Sequence, residues 1–378
     1  MTGPLAGVRV VELARILAGP WAGQVLADLG AEVIKVESPE GDDTRRWGPP
    51  FIDNPDGSRD AAYFHAANRG KRSVVADFAT EAGRAKVRAL IADADVVIEN
   101  FKVGGLAKYG FDYATLSADH PGLVYCSITG FGQDGPYAAR AGYDFIVQGM
   151  GGIMSLTGEP EAAPQKIGVA YADILTGLYA VIGIQAALAE RARTGRGAHV
   201  DMALFDVMVG TLANQAMNYL VSGTAPTRLG NAHPNIAPYA AYPTADGWII
   251  LAVGNDRQFE RACEVLGLSC DETFATNALR VAQRSILDPL VAAATRLWER
   301  DALLAALEAA GVPAGPINDV GQAFADPQIV HRAMRIEAAR ANGTGVPGVA
   351  LPIRFVGRDR SATTASPMLG EGDRADLA

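Results

Sequence analysis

Cysteine is scarce in this chain: Cys126, Cys263 and Cys270 are the only three in 378 residues, they match no metal-ligand spacing, and they leave an odd thiol. That tells against a disulfide framework, and Cys126, inside LVYCSI, reads as an inert residue of a buried strand. Positive charge is in deficit too, with 33 Lys and Arg against 42 Asp and Glu, a net charge of -9 and a pI of about 5.1. A general nucleic-acid or membrane-surface role needs a basic face, so both are disfavoured, although a local basic cluster can still hold one small anionic ligand. The five histidines are scattered. No dinucleotide fingerprint of the G-x-G-x-x-G type opens a helix after the first strands, and no Walker loop, H-E-x-x-H, G-x-S-x-G or C-x-x-C occurs, which disfavours a metal site or a His-based triad. The longest apolar run, Ile174 to Ala189, carries Thr176 and Gln185 and is short for a bilayer span. The N-terminal stretch lacks the pattern of a signal peptide. A soluble protein of a reducing, cytoplasmic compartment is expected.

What the chain does have is 49% hydrophobic residues, enough for a large core. Short β-branched runs alternate with helical patterns: VRVVELA (8–14), EVIKVE (32–37), KRSVVADF (71–78), DVVIENF (95–101) and LVYCSITGFG (123–132) read as strands. Helices are expected over 19–30 and 80–94, then from Asp173 to about Arg193 with Gly195 as the stop, and from about Asp206 to Ser222. Strands separated by helices need crossovers, hence an α/β fold with a mostly parallel sheet. The stretch 223–238 has no period and reads as a linker; 239–254 reads as a hairpin turning at Asp246-Gly247. The expected organisation is a large domain over 1–222, a linker over 223–238, a small α+β domain over 239–310, and a return segment over 311–378 that completes the large domain.

Basic residues cluster around the early strands: Lys35, Arg45, Arg46, Arg69, Lys71, Arg72 and Lys108. Each alone reads as a solvated surface charge; together, in an acidic protein, they are candidates to hold a phosphorylated ligand. QGMGGIMSLTG (148–158) offers close backbone approach, and VGNDRQF (253–259) offers amide donors to an oxyanion. Each also reads as an ordinary turn. Asp173, in GVAYADILTG (168–177), precedes a long apolar helix pattern and reads locally as its N-cap. Capping and reactivity are compatible, because helix-end amides stabilise a carboxylate whose apolar neighbours limit its solvation.

Taken in order, LAGVRVVELARILAGPWAGQVLADLGAEVIKVE (5–37), GDDTRRWGPPF (41–51), NRGKRSVVADF (68–78), VVIENFKVGGLAKYGF (96–111), SITGFGQDGPYAARAGYDFIVQGMGGIMSLTG (127–158), GVAYADILTGLYAVIGIQAAL (168–188), TGRGAHVDMALFD (194–206), VPAGPINDV (312–320) and LGE (369–371) resemble the family III CoA-transferases over nearly the whole chain. That group includes formyl-CoA:oxalate and carnitine CoA-transferases and, as divergent relatives, α-methylacyl-CoA racemases. The resemblance implies that Asp173 is a nucleophile, that Tyr143 lies beside it, and that a loop from Gly254 covers the intermediate, here with Asn255-Asp256-Arg257 in place of the all-glycine form. It implies coenzyme A as the substrate group, with Arg15, Leu17, Ala18, Lys71, Arg72, Asn100, Phe101 and Lys108 at the CoA site. Ser38 stands where some members have arginine, which passes that phosphate contact to Arg45. The acceptor pocket is expected near Tyr143, Gln148 and residues 254–258. A Rossmann-like large domain and an interlocked homodimer are also implied, with an acyl-CoA donor and a carboxylic acid acceptor as partners and no metal. Two rivals stay open. A racemase needs an acid/base pair, but Tyr143 occupies the position of that branch's histidine, and a phenol ionising near 10 is a poor base at neutral pH. A catalytically silent CoA-binding protein is the other.

Overall fold

A computed structural model describes residues 3–340, 342–358 and 364–373. The β-branched runs form a six-stranded sheet: β1 (Arg9–Glu12), β2 (Glu32–Glu37), β3 (Lys71–Val75), β4 (Val96–Glu99), β5 (Val124–Thr129) and β6 (His199–Ala203). Its spatial order is β3-β2-β1-β4-β5-β6, with every pairing parallel. This is the doubly wound order, whose switch point falls between β1 and β4, and such sheets bind ligands beyond the strand C-termini at that point. Burial follows from strand alternation. Val10, Val96 and Ile98 pack on the side of α1 (Ala18–Asp28), whereas Val11 and Val97 pack with Val87 and Ile91 of α2 (Glu81–Ala92) and Leu116 of α3 (Tyr113–Asp119). Each such side chain withdrawn from water is worth about 1.5–3 kcal/mol, so the sheet is the rigid base from which the loops project.

Two further helices complete the layer on α1: α4 (Asp144–Met150) and the 24-residue α5 (Tyr171–Thr194), which ends at Gly195 in the left-handed region (φ 71°). By length and composition α5 is apolar enough to cross a bilayer, longer than the run read from the sequence. Here, however, Ala172, Thr176, Ala180, Ile184 and Ala187 recur every three to four residues on its buried face. Gly177 is required on that face, because a Cβ there would lie 2.7 Å from the Ala18 carbonyl oxygen of α1. The helix expected over 206–222 is two helices, Leu204–Gly210 and Ala213–Ser222, parted where Ala213 takes a positive φ of 49°.

The first unit comprises the described residues up to Ile153, Lys166–Met217, and those from Pro327 onward; the second comprises Met154–Gln165 and Asn218–Asp326. In the second, β7 (Tyr239–Pro243), β8 (Trp248–Ala252) and β9 (Ala314–Pro316) form an antiparallel sheet in the order β9-β8-β7. Ile249 and Leu251 of β8 pack on Phe259, Leu303 and Leu307. The stretch 223–238, expected as a linker, belongs to this unit. Its carbonyls are pinned by side chains: Asn277 Nδ2 donates to Asn235 O (2.9 Å), Arg284 Nη2 to Ile236 O (3.0 Å) and Arg280 Nε to Ala237 O (2.8 Å). The start of the expected return segment also falls here, because Ala314–Pro316 is an edge strand of this sheet.

Candidate active site

Beyond β1 and β4, the strands flanking the switch point, two predicted residues meet. Asn100 Oδ1 accepts from Arg15 N (2.9 Å) and its Nδ2 donates to Arg15 O (2.8 Å). The next residue, Ile16, has φ 72°, a strained conformation for a β-branched side chain, and its N–H donates to Asp42 Oδ2 (3.1 Å). Leu17 and Ala18 then open α1 with their side chains buried, while the Arg15 guanidinium stays open to solvent and pairs with Asp43 at 3.1 Å. Phe101 follows Asn100 half-buried and stacks on Phe78 at 6.1 Å; Lys108 is exposed, its Nζ 4.7 Å over the Tyr109 ring.

The second cluster is built on the entry to α5. Asp173 is not the N-cap: that position is Ala170, whose side chain caps nothing, and Asp173 lies in the first turn. The capping carboxylate comes from α4 instead. Asp144 Oδ1 accepts from Ala172 N (2.8 Å) and, at 3.4 Å, from Asp173 N. Gln148, one turn on from Asp144, donates from Nε2 to Asp144 Oδ2 (2.8 Å) and accepts Ile167 N at Oε1 (2.9 Å). Its side chain is fully buried. Asp173 is half-buried, and among the described residues no cation pairs with it and no hydrogen bond reaches its carboxylate. Burial, with Asp144 as a nearby like charge, pushes the Asp173 carboxyl up to about 7. Tyr63 belongs to the same cluster: burial, and then the Asp173 and Asp144 carboxylates, push its phenol up. The Tyr63 ring meets Trp47 edge-on at 5.3 Å. Tyr143 immediately precedes Asp144 and is largely exposed. Since α5 packs on α1 one turn below Asp173, the Asp173 cluster and the Arg15–Ala18 segment share one end of the first unit.

Three expected phosphate ligands are engaged within the protein. The Lys71 ammonium is enclosed, bound to Glu12 Oε2 (2.8 Å), Pro20 O (2.8 Å) and Asn68 Oδ1 (2.9 Å). Arg45 is buried between Glu37 (2.7 Å) and Asp60 (2.8 Å) and lies over the Phe64 ring. Arg72, the second residue of β3, reaches back toward Glu32 at the start of β2, 3.7 Å away, the end of the sheet opposite the switch point. None presents a free cation to a ligand beyond the strand C-termini. Gly151, which follows α4, serves packing: a Cβ there would meet Met208 Cγ at 2.3 Å. In the second unit, the Gly254 N–H is taken by Gln258 Oε1 (2.8 Å), and Asn255 Oδ1 caps the following helix at Gln258 N (3.0 Å). A cavity of about 280 Å³ lined by Gly7, Val8, Arg9, Glu32, Asp93 and Asp95 lies at the strand N-termini, away from both clusters. No group of three or more His, Cys, Asp or Glu suited to a metal occurs among the described residues.

Asp144, Tyr63 and Trp47 went unrecognised from the sequence. Only the spacing of Asp144 and Gln148, one helical turn apart, gave a signal, since such pairs hydrogen-bond along a helix.

The sequence profile of CoA-transferase family III matches residues 5–373. The chain is 58% identical to the succinate–glutarate CoA-transferase of Agrobacterium fabrum (strain C58 / ATCC 33970), covering 99% of this chain and 95% of that protein. It is 38% identical to the succinyl-CoA:glutarate CoA-transferase of Homo sapiens, over 97% of this chain and 84% of that one. Among solved structures, a CAIB/BAIF family protein from Brucella suis superimposes with a TM-score of 0.89 at 63% identity, covering 99% of this chain and 98% of that one.

Proposed function

The chain belongs to CoA-transferase family III and is an enzyme of that class, and on that premise we propose that it moves CoA between succinate and glutarate with Asp173 as the carrier. The choice of acids follows the activities named for the Agrobacterium and human relatives. The observation that carries the mechanism is the state of the Asp173 carboxylate: half-buried, unpaired with any cation among the described residues, and held up to about 7. A carboxylate fully solvated or locked in an ion pair is a weak nucleophile; one short of both, and still substantially ionised near neutrality, can attack a thioester.

In the proposed sequence, an Asp173 oxygen attacks the thioester carbonyl of the donor acyl-CoA. The C–S bond breaks, giving a mixed anhydride and CoA thiolate. The thiolate then attacks the aspartyl carbonyl, forming an Asp173–CoA thioester and releasing the donor acid as carboxylate. The acceptor carboxylate reverses both steps and leaves as its CoA thioester. Charge and atoms balance without a metal or an external proton. Arg15, Leu17, Ala18, Asn100, Phe101 and Lys108 are assigned to the CoA side, whereas Arg45, Lys71 and Arg72 hold the fold. Tyr143 and Tyr63 flank the acyl group, and the anhydride must be kept from water. The active species is a homodimer, interlocked and cytoplasmic; the exposed apolar stripe Leu178, Tyr179 and Ile182 on α5 supports a protein-covered surface there. A folded, active monomer in sedimentation would contradict that part.

The test of the carrier role is intact mass after mixing with succinyl-CoA in the absence of acceptor. Wild type is expected to gain a covalent CoA adduct mapping to Asp173, and Asp173→Ala to gain none, with turnover down about 10⁴-fold or more. An equal adduct on Asp173→Ala overturns the reading.

A further inference from the structure

We infer that Gln148 is a positioning residue for Asp173, acting through Asp144 as a neutral clamp on the entry to α5; the inference rests on the carrier role proposed for Asp173.

The argument starts from an accounting of hydrogen bonds. The α5 N-terminus leaves backbone N–H groups without helical partners, and Ala170 at the cap position cannot satisfy them. The Asp144 carboxylate does so from another helix, and a remote cap works only while that carboxylate is itself held still. Gln148 supplies the hold. Its buried amide donates to Asp144 Oδ2 (2.8 Å), with a longer contact to Val169 O (3.4 Å), and it accepts from Ile167 N (2.9 Å). One side chain on α4 thus ties down both the segment that runs into α5 and the carboxylate that caps it. Asp173 sits on the turn so fixed. A nucleophile must be aimed to within a fraction of an ångström, and misplacement by about 1 Å can cost on the order of 100-fold in rate.

The amide chemistry also matters. A cation at this position would pair with Asp144 and draw the local potential toward ionised, inert carboxylates; an anion would repel it. A neutral amide orients Asp144 without adding charge. The titratable groups that bear on Asp173 from neighbouring elements, among the described residues, are Asp144 from α4 and Tyr63 from the short helix Ala62–His65. Glutamate in place of Gln148 adds a third carboxylate to this set.

Two variants of the full-length enzyme test the inference, with Asp173→Ala run in parallel. The readout is the single-turnover rate of CoA-adduct formation from succinyl-CoA, followed by rapid quench and intact mass across pH. Gln148→Met keeps the volume and removes both hydrogen-bonding ends. Its adduct rate is expected to fall about 10–100-fold, with the succinyl-CoA KM within twofold of wild type. Gln148→Glu keeps the acceptor for Ile167 N but sets a like charge against Asp144. The ionised form of Asp173 is then disfavoured, and the rising limb of the rate moves to higher pH. A structural lesion alone would not move that limb. Wild-type rate and pH limb in both variants overturn the inference, as does a KM that rises in step with the loss of rate. Should Gln148→Met fail to fold by circular dichroism, the pH limb of Gln148→Glu decides. Persistence of the adduct in Asp173→Ala refutes the carrier role itself. Its loss there, with both Gln148 variants behaving as wild type, refutes the clamp alone.

Discussion

Two groups of carboxylates leave water in the first unit, and their fates are opposite. At and beyond the C-terminal ends of β1 and β2, Glu12, Glu37, Asp42 and Asp60 are each matched to a buried cation. Lys35 lies 3.1 Å from Glu12 and 2.9 Å from Asp42, Lys71 2.8 Å from Glu12, and Arg45 bridges Glu37 and Asp60. Despite the opposing cost of burial, Lys35 draws the Asp42 carboxyl down to about 2, and the Lys35 ammonium is held above its ordinary range by Glu12, Asp42 and Glu37. Lys71 is the exception in direction: burial, only partly offset by Glu12, pulls it down to about 8. Asp173 has a second carboxylate for a neighbour instead of a cation and is pushed up to about 7. Burial is common to both sites, so the partner decides. Asp42, Glu37 and Asp60, each paired, are held below the ordinary carboxylate range and are chemically spent, whereas an unpaired carboxylate retains the reactivity that covalent transfer needs.

The largest effect should come from breaking the paired group. Lys35→Met leaves Asp42 with an uncompensated buried charge and Glu12 with Lys71 alone, and is expected to cost about 3–5 kcal/mol in denaturant unfolding; a loss under about 1 kcal/mol would mean that the network contributes little to holding the strand ends together. A smaller effect is expected on the unpaired side from Asp144→Asn. This keeps the acceptor at Oδ1 for the α5 amides and removes the like charge, so the rising limb of kcat against pH should move down, by up to about one unit. The plateau should fall as well, because the new amide group confronts the Gln148 amide donor. An upward shift would contradict the like-charge account.

The smallest effect concerns stability. A carboxyl whose folded value is raised above its unfolded value near 4 binds more protons when folded over that interval. Asp173 therefore costs no stability below about pH 4, costs progressively more as pH rises toward 7, and carries its full penalty above that. Asp173→Asn should raise the melting temperature by a few degrees at pH 8 and leave it nearly unchanged at pH 4. Asp42 runs the other way: its contribution is present above about pH 4 and is lost as pH falls through about 2.

This contrast also separates what could be read along the chain from what could not. Five of the six sheet strands were legible because runs such as VRVVE and VVIE are buried on both faces and leave an unbroken β-branched signature. The sixth, HVDMA, alternates polar and apolar residues on a half-exposed edge, and no expectation covered it. The motif singled out Asp173, but the cap on α5 was not to be found in GVAYADILTG, since the capping carboxylate, Asp144, lies 29 residues upstream of Asp173. Lys71 and Arg45 show the same limit from the other side. Sequence records that a residue is charged, while only the fold records that Glu12 or Glu37 already occupies it. The stretch 223–238 looked like a tether because it has no period; its order comes from the arginines and asparagine of helices that follow it.

The central claim is that Asp173 is an unpaired, poorly solvated carboxylate that becomes the carrier of CoA. Its most direct test is the pH dependence of covalent CoA-adduct formation in a single turnover of wild-type enzyme with succinyl-CoA. A rate that rises with pH through a midpoint near 7, for an adduct mapping to Asp173, is the predicted result. A midpoint near the ordinary carboxylate value of about 4, or an adduct on another residue, would contradict it.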